Sequence, residues 1–96
     1  MNKNNFALIW NNGKVCLGED WAIAKHFLKA KNLHLGIIRV NGQLFYSTKN
    51  AHSCSWQTKG SIIDTGNREL NRKAALSHFF FHFILPAQNG FHIIAL

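Results

Sequence analysis

Leu35-Gly36-Ile37-Ile38-Arg39-Val40-Asn41-Gly42-Gln43-Leu44-Phe45-Tyr46-Ser47-Thr48 is the stretch on which the fold turns. β-Branched and aromatic residues dominate both arms, and Asn41-Gly42 joins them with no residue to spare. Asn-Gly supplies the positive φ angles that a two-residue turn requires, so 35–40 and 43–48 are expected to pair as an antiparallel hairpin. A lone hairpin is marginal in water. Its apolar face needs cover, and the flanking sequence has to supply it.

Upstream, residues 6–10 and 14–17 flank Asn11-Asn12-Gly13, a second hairpin signal of the same kind. Glu19 and Asp20 then put negative charge where the dipole of a helix N-terminus favours it. Residues 21–31 have helical spacing: Trp21, Ala24 and Leu28 share a face, Ile23 and Phe27 lie beside it, and Lys25, His26 and Lys29 point outward. Asn32 is the expected stop.

Downstream, residues 49–60 are polar and rich in hydroxyls. Alternation of Cys54 and Trp56 with polar neighbours predicts a third strand over 53–58 at a sheet edge, broken by Gly60, with a short further strand at 61–64. Thr65-Gly66-Asn67 reads as a turn into a helix with Asn67 as N-cap. The aromatic run 79–85 has strand propensity, but on a helical wheel residues 68–85 divide. Leu70, Ala74, Ser77, Phe80, Phe81, Ile84 and Leu85 fall on one side and Arg68, Asn71, Arg72, Ala75, His78 and His82 on the other, with Leu76, Phe79 and Phe83 at the border. A long helix ended by Pro86 is the reading, with a strand over 78–85 as the alternative. Glu69 and Lys73 form a favourable i,i+4 pair. Asn89-Gly90 turns the chain into a closing apolar strand, 91–96, expected to be paired into a sheet because an exposed one invites aggregation.

The predicted class is therefore α+β: an antiparallel sheet built from β-hairpins with two helices packed on one face, in the order ββα-ββ(β)-αβ. The 96 residues make a single small basic domain, residues 1–96. A chain of this length buries roughly 60–65% of its unfolded surface, enough for one core. With 47% hydrophobic residues, including eight Phe and three Trp, disorder is not expected despite the scattered Asn. Residues 6–10 are too short for the apolar region of a signal peptide, and no run approaches the length of a membrane span. No membrane partner is expected, and cytoplasm is the expected compartment. Cys16 and Cys54 are enough for one bridge, but their spacing gives neither a disulfide framework nor a zinc site.

Charge is the unusual bulk property. Eleven Lys and Arg face four acids, giving +7 with His neutral. A field of that sign attracts polyanions such as nucleic acid, although the same surplus also serves plain solubility. Two segments are candidates for contact. On the predicted polar face of the second helix, Arg68 and Arg72 have the fork geometry that matches phosphate, and Asn71 between them is placed to reach a base edge. In the loop, Trp56 sits between Lys49 and Lys59, and aromatics among cations suit single strands.

Other chemistry is thinly supported. His78 and His82 stand at i,i+4, a spacing that can share a metal, but no further ligands are defined, so no metal is expected. His52 and Cys54 would share a face of a strand, but no oriented base or oxyanion site accompanies them. Each of the four acids has an ordinary structural explanation, so an enzyme is not expected and no cofactor is implied. In order alone, residues 36–83 are similar to the sheet-then-helix plan of integrase-type DNA-binding domains, which read DNA with the sheet. That likeness implies Arg39, Gln43, Tyr46 and Lys49 as contacts, and no motif identifies a family.

The functional expectation is a small non-enzymatic protein that binds nucleic acid through Arg68, Asn71, Arg72, Lys49, Lys59 and Trp56. The competing expectation is a homodimeric protein-interaction or small-ligand module, motivated by an aromatic surplus and the apolar C-terminal strand.

Overall fold

The computed structural model describes residues 5–50 and 56–96, with backbone alone at 56 and 57. Among the described residues, six strands and two α-helices follow in the order β1 (Asn5–Trp10), β2 (Val15–Glu19), α1 (Asp20–Ala30), β3 (Leu33–Val40), β4 (Gln43–Asn50), β5 (Trp56–Ile63), α2 (Arg68–Phe79) and β6 (Phe91–Ala95). The class is α+β, as the sequence predicts. The strands divide into two antiparallel three-stranded sheets, β2-β1-β6 and β3-β4-β5, where one sheet was expected. The closing strand explains the division. β6 pairs with β1 on the side opposite β2, completing one sheet from the two ends of the chain and leaving the central hairpin to build the other.

Turn chemistry sets the second sheet. Asn41 and Gly42 have φ of 51° and 79°, and the register runs from Val40↔Gln43 to Leu33↔Asn50 without a slip. β5 adds to the far side of β4 as one strand running straight through Gly60. The expected break there is corrected for a steric reason. Gly60 lies opposite Tyr46, and a Cβ at residue 60 would fall 2.5 Å from the Tyr46 ring. Gly60 is the room in which that ring lies. Residues 51–55, including His52 and Cys54, are outside the described residues.

Strand alternation gives each sheet an inner and an outer face. Phe6, Leu8, Cys16 and Phe91 of the first sheet and Leu44, Tyr46 and Thr48 of the second are buried. Helix α1 packs against α2, β2 and β3, while α2 packs against β5, and these contacts close one core cluster drawn from both sheets. Asn32, with φ of 56°, ends α1 as expected.

The long C-terminal helix is present, so the strand alternative for 78–85 falls away. Its facing differs from the wheel reading. Asn71, Ala75, Leu76, Phe79, Phe80 and Ile84 are buried, while Leu70 is 53% and Phe81 44% exposed. Two features account for this. First, α2 is covered on two sides, by the second sheet and by α1, so no single half-cylinder is apolar. Second, the helix widens after Phe79 into a π-helical turn, Phe80–Ile84, marked by the Leu85 N–H donating to the Phe80 carbonyl at 2.8 Å. One extra residue per turn rotates the side chains that follow. Asn67 caps the start as expected, its side chain accepting from the Leu70 N–H at 3.1 Å.

Candidate functional site

Arg72 is where the surface features of this molecule meet. A concavity of about 650 Å³ lies between α1, the start of β3 and α2, and Lys25, His26, Lys29, His34 and Arg72 line it. A second, of about 640 Å³, lies between β3, β4 and the first turns of α2, with Arg39, Arg68 and Arg72 in its wall. The two adjoin at Arg72, and this composite groove draws cations from three elements. Its floor is apolar: Leu28, Leu33 and Leu76 in the first part, Ile37 and Leu44 in the second.

Local structure explains how these cations come to face one groove. Lys25 and Lys29 are one helical turn apart on α1, and Arg68 and Arg72 are one turn apart on α2, so each pair shares a face. The two helices pack against each other, which brings Lys25 and Lys29 to Arg72. Arg39 is oriented by Asp64, with Nε donating to Oδ2 at 2.8 Å. Asp64 also accepts from the Gly66 N–H at 2.8 Å and from the Asn71 amide at 3.0 Å. The Arg39 hydrogen bond, with help from those of Gly66 and Asn71, holds the Asp64 carboxyl down at about 2. Among the described residues, Arg68, Arg72 and Lys29 make no ion pair. Lys73 is paired with Glu69 at 3.7 Å, and Glu69 is the acid at the rim of the groove.

The sequence candidates separate. Arg68 and Arg72 both lie in the groove. Asn71 lines it too, but is only 6% exposed, and its amide is engaged within the protein: Oδ1 accepts from the Thr65 N–H at 2.9 Å and from the Thr65 hydroxyl at 2.7 Å, and Nδ2 donates to Asp64. It ties the β5–α2 turn to the helix, and the expectation that it faces outward between the arginines is corrected. Lys59 lines a different concavity, on the outer face of the second sheet, with Ile38, Val40 and Phe45. Lys49 falls at an outer-face position of β4, alternate to buried Thr48. The side chain of Trp56 is outside the described residues. The sheet contacts implied by the likeness of plan do not share a face either. Tyr46 is 1% exposed and turned inward, whereas Gln43 and Lys49 are on the opposite side of β4.

Trp21, Lys25 and Lys29 are groove residues that the sequence reading did not assign to a site, and Arg39 entered it only through the likeness of plan. Their signal was partial: the outward face of α1 is legible from spacing, but its proximity to Arg72 is a tertiary fact. Trp21 lines the groove, with Lys73 Nζ 4.7 Å and Lys25 Nζ 5.7 Å from its ring centroid.

His78 and His82 do come together, stacked with ring centroids 4.0 Å apart. His78 meets Tyr46 of the second sheet, whose hydroxyl lies 2.5 Å from His78 Nδ1. Burial, and then the neighbouring His82, lower the pKa of His78, and burial raises that of Tyr46 to about 12. With both groups neutral, the phenol donates to Nδ1 when the imidazole proton sits on Nε2. Among the described residues, no three His, Cys, Asp or Glu side chains group as metal ligands. Cys16 is a buried thiol.

Comparison with known proteins yields no match: no family model, no curated protein and no solved structure resembles the chain.

Proposed function

We propose that this protein is a non-enzymatic binding module whose groove at Arg72 engages the phosphate backbone of nucleic acid. The observation that carries this reading is the convergence of Lys25 and Lys29 from α1, Arg39 from β3, and Arg68 and Arg72 from α2 on one surface. Like charges from separate elements repel, and gathering them costs free energy that a bound polyanion returns. The arginines offer paired N–H donors to phosphate oxygens, and the lysines act as mobile point charges along the strand.

Binding of this kind releases counterions. If about five phosphates are neutralised, log K should fall against log salt with a slope of about −3 to −4 on single strands, or nearer −4.5 on duplex. The test is fluorescence anisotropy of labelled DNA and RNA over a salt series. A steep negative slope supports the reading, and no binding at low salt rejects it.

A second reading has its own observation. The outer face of the second sheet exposes Ile38, Val40, Phe45 and Ile63, the last at 85%, where a solvated sheet face is normally polar. A homodimer through that face is the alternative. Two copies of a chain carrying +7 repel, so salt should strengthen this association, opposite in sign to polyanion binding. Light scattering across the same salt series separates the two, and a strict monomer at every salt removes the second.

A further inference from the structure

The groove is more than a row of charges, because cations rim a floor that is apolar. Leu28 and Leu76 are buried beneath it at 6% and 1% exposure, and Leu33 is half-buried beside them. A phosphate backbone alone gains nothing from such a floor. A ligand with charge along its edge and flat apolar groups in the middle gains from both, and a strand with its bases turned inward has that form.

Trp21 supplies the aromatic surface. Its ring is half-buried, lining the main concavity and an adjoining one of about 240 Å³ shared with Lys25, Arg72 and Lys73. The ring is held before any ligand arrives. Its Nε1–H donates to Glu19 at 2.8 Å, and its backbone N–H donates to Asp20 at 2.7 Å. Asp20 is itself anchored to α2 by the Ser77 hydroxyl at 2.7 Å. Meanwhile the ammonium groups of Lys73 and Lys25 stand over the indole.

We propose that Trp21 is a base-stacking platform, so that the groove takes single-stranded nucleic acid in preference to duplex. This rests on the polyanion reading of the same groove. As a strand enters, its phosphates draw the Lys25 and Lys73 ammonium groups off the ring, and a base takes their place on the indole. Base–aromatic stacking tolerates any sequence because every base has a π face, so selectivity is for strandedness. In a duplex the base faces are already stacked on one another. A half-buried ring cannot reach them, unlike the projecting apolar wedges of proteins that kink DNA.

The test uses three probes with the same number of phosphates per strand, ~12 nucleotides long, at low salt: an oligothymidylate, the same strand with abasic sites throughout, and a duplex. The wild-type protein should bind the oligothymidylate about 10-fold or more tightly than the abasic strand, and more tightly than the duplex. Trp21→Leu, checked for folding by its thermal transition, should lower oligothymidylate affinity by about 5- to 100-fold while leaving abasic binding and the salt slope unchanged. Trp21→Phe should retain part of the difference. Equal affinity for all three probes, tighter duplex binding, or a base-dependent affinity that Trp21→Leu does not alter would overturn the stacking proposal and leave the polyanion reading standing. Failure to bind any probe overturns both. The abasic comparison needs no variant, so it holds even if Trp21→Leu does not fold.

Discussion

Asn71 and Arg72 are neighbours in sequence with different duties, and the difference can be measured. Asn71 is buried and bonds Thr65 and Asp64, so Asn71→Ala should destabilise the protein by about 0.5–1.5 kcal/mol by removing the hydrogen bonds that tie the turn to the helix. It should leave the salt slope of nucleic-acid binding intact. Arg72→Ala should do the reverse: near-wild-type stability in urea, weaker binding, and a slope less steep by about 0.7 on single strands. Glu69→Gln should tighten binding several-fold by removing the acid at the groove rim and freeing Lys73. Two acid–base contributions have definite signs. Asp64 is held at about 2 in the fold against 3.8 ordinarily, so its stabilisation is present above about pH 4 and lost as pH falls through 2. His78 is lowered from 6.5, so stability is full above that pH and declines as pH falls toward the lower folded value. Urea midpoints measured from pH 8 down to about pH 1.5 should therefore decline in two steps, and His78→Gln should remove the upper one. Which arginines face out was legible from charge and spacing. The inward turn of Asn71 was not, because a polar residue on a helix looks solvated until its partners, Asp64 and Thr65, are known.

Elements were legible where their signals are local. Asn41-Gly42 sets a hairpin by backbone preference alone, Asn32 stops α1, and Asn67 starts α2. Signals failed where the deciding contact is distant. Gly60 looks like a strand break, yet it is the space for the Tyr46 ring on the paired strand. Gly60→Ala should destabilise by about 1–3 kcal/mol through overpacking, since the Tyr46 ring is buried and its hydroxyl is held at His78. If the urea midpoint of that variant matches wild type, the ring moves more freely than its surroundings imply. The wheel reading of α2 erred for a related reason. Wheel analysis assumes one buried side and a constant pitch, whereas α2 is covered on two sides and changes pitch at Phe80. The likeness of the two hairpins is likewise local: each ends in an Asn-Gly turn, but they enter different sheets.

At the scale of the molecule, all four acids are engaged within the protein. Glu19 holds the Trp21 indole, Asp20 holds Ser77, Asp64 holds Arg39, and Glu69 pairs with Lys73. The +7 surplus therefore stands with little to screen it, and much of it is collected at one groove. Composition disclosed the surplus. Its collection required the fold, because Lys25, Arg39 and Arg72 belong to three elements far apart in sequence. Among the described residues, no helix is long and apolar enough to cross a membrane. The outer face of the second sheet exposes Ile38, Val40, Phe45 and Ile63 and carries Lys59 apart from the groove. That separation gives the most direct test. Binding of one labelled single strand is measured across salt for two double variants, Arg68→Ala with Arg72→Ala and Lys49→Ala with Lys59→Ala. If the groove is the site, the arginine pair lowers affinity at least tenfold and flattens the slope by about 1.4, while the lysine pair changes neither by more than a general loss of charge requires. The reverse order, or equal losses from both pairs, would contradict a localised site and leave the positive charge acting as a diffuse field.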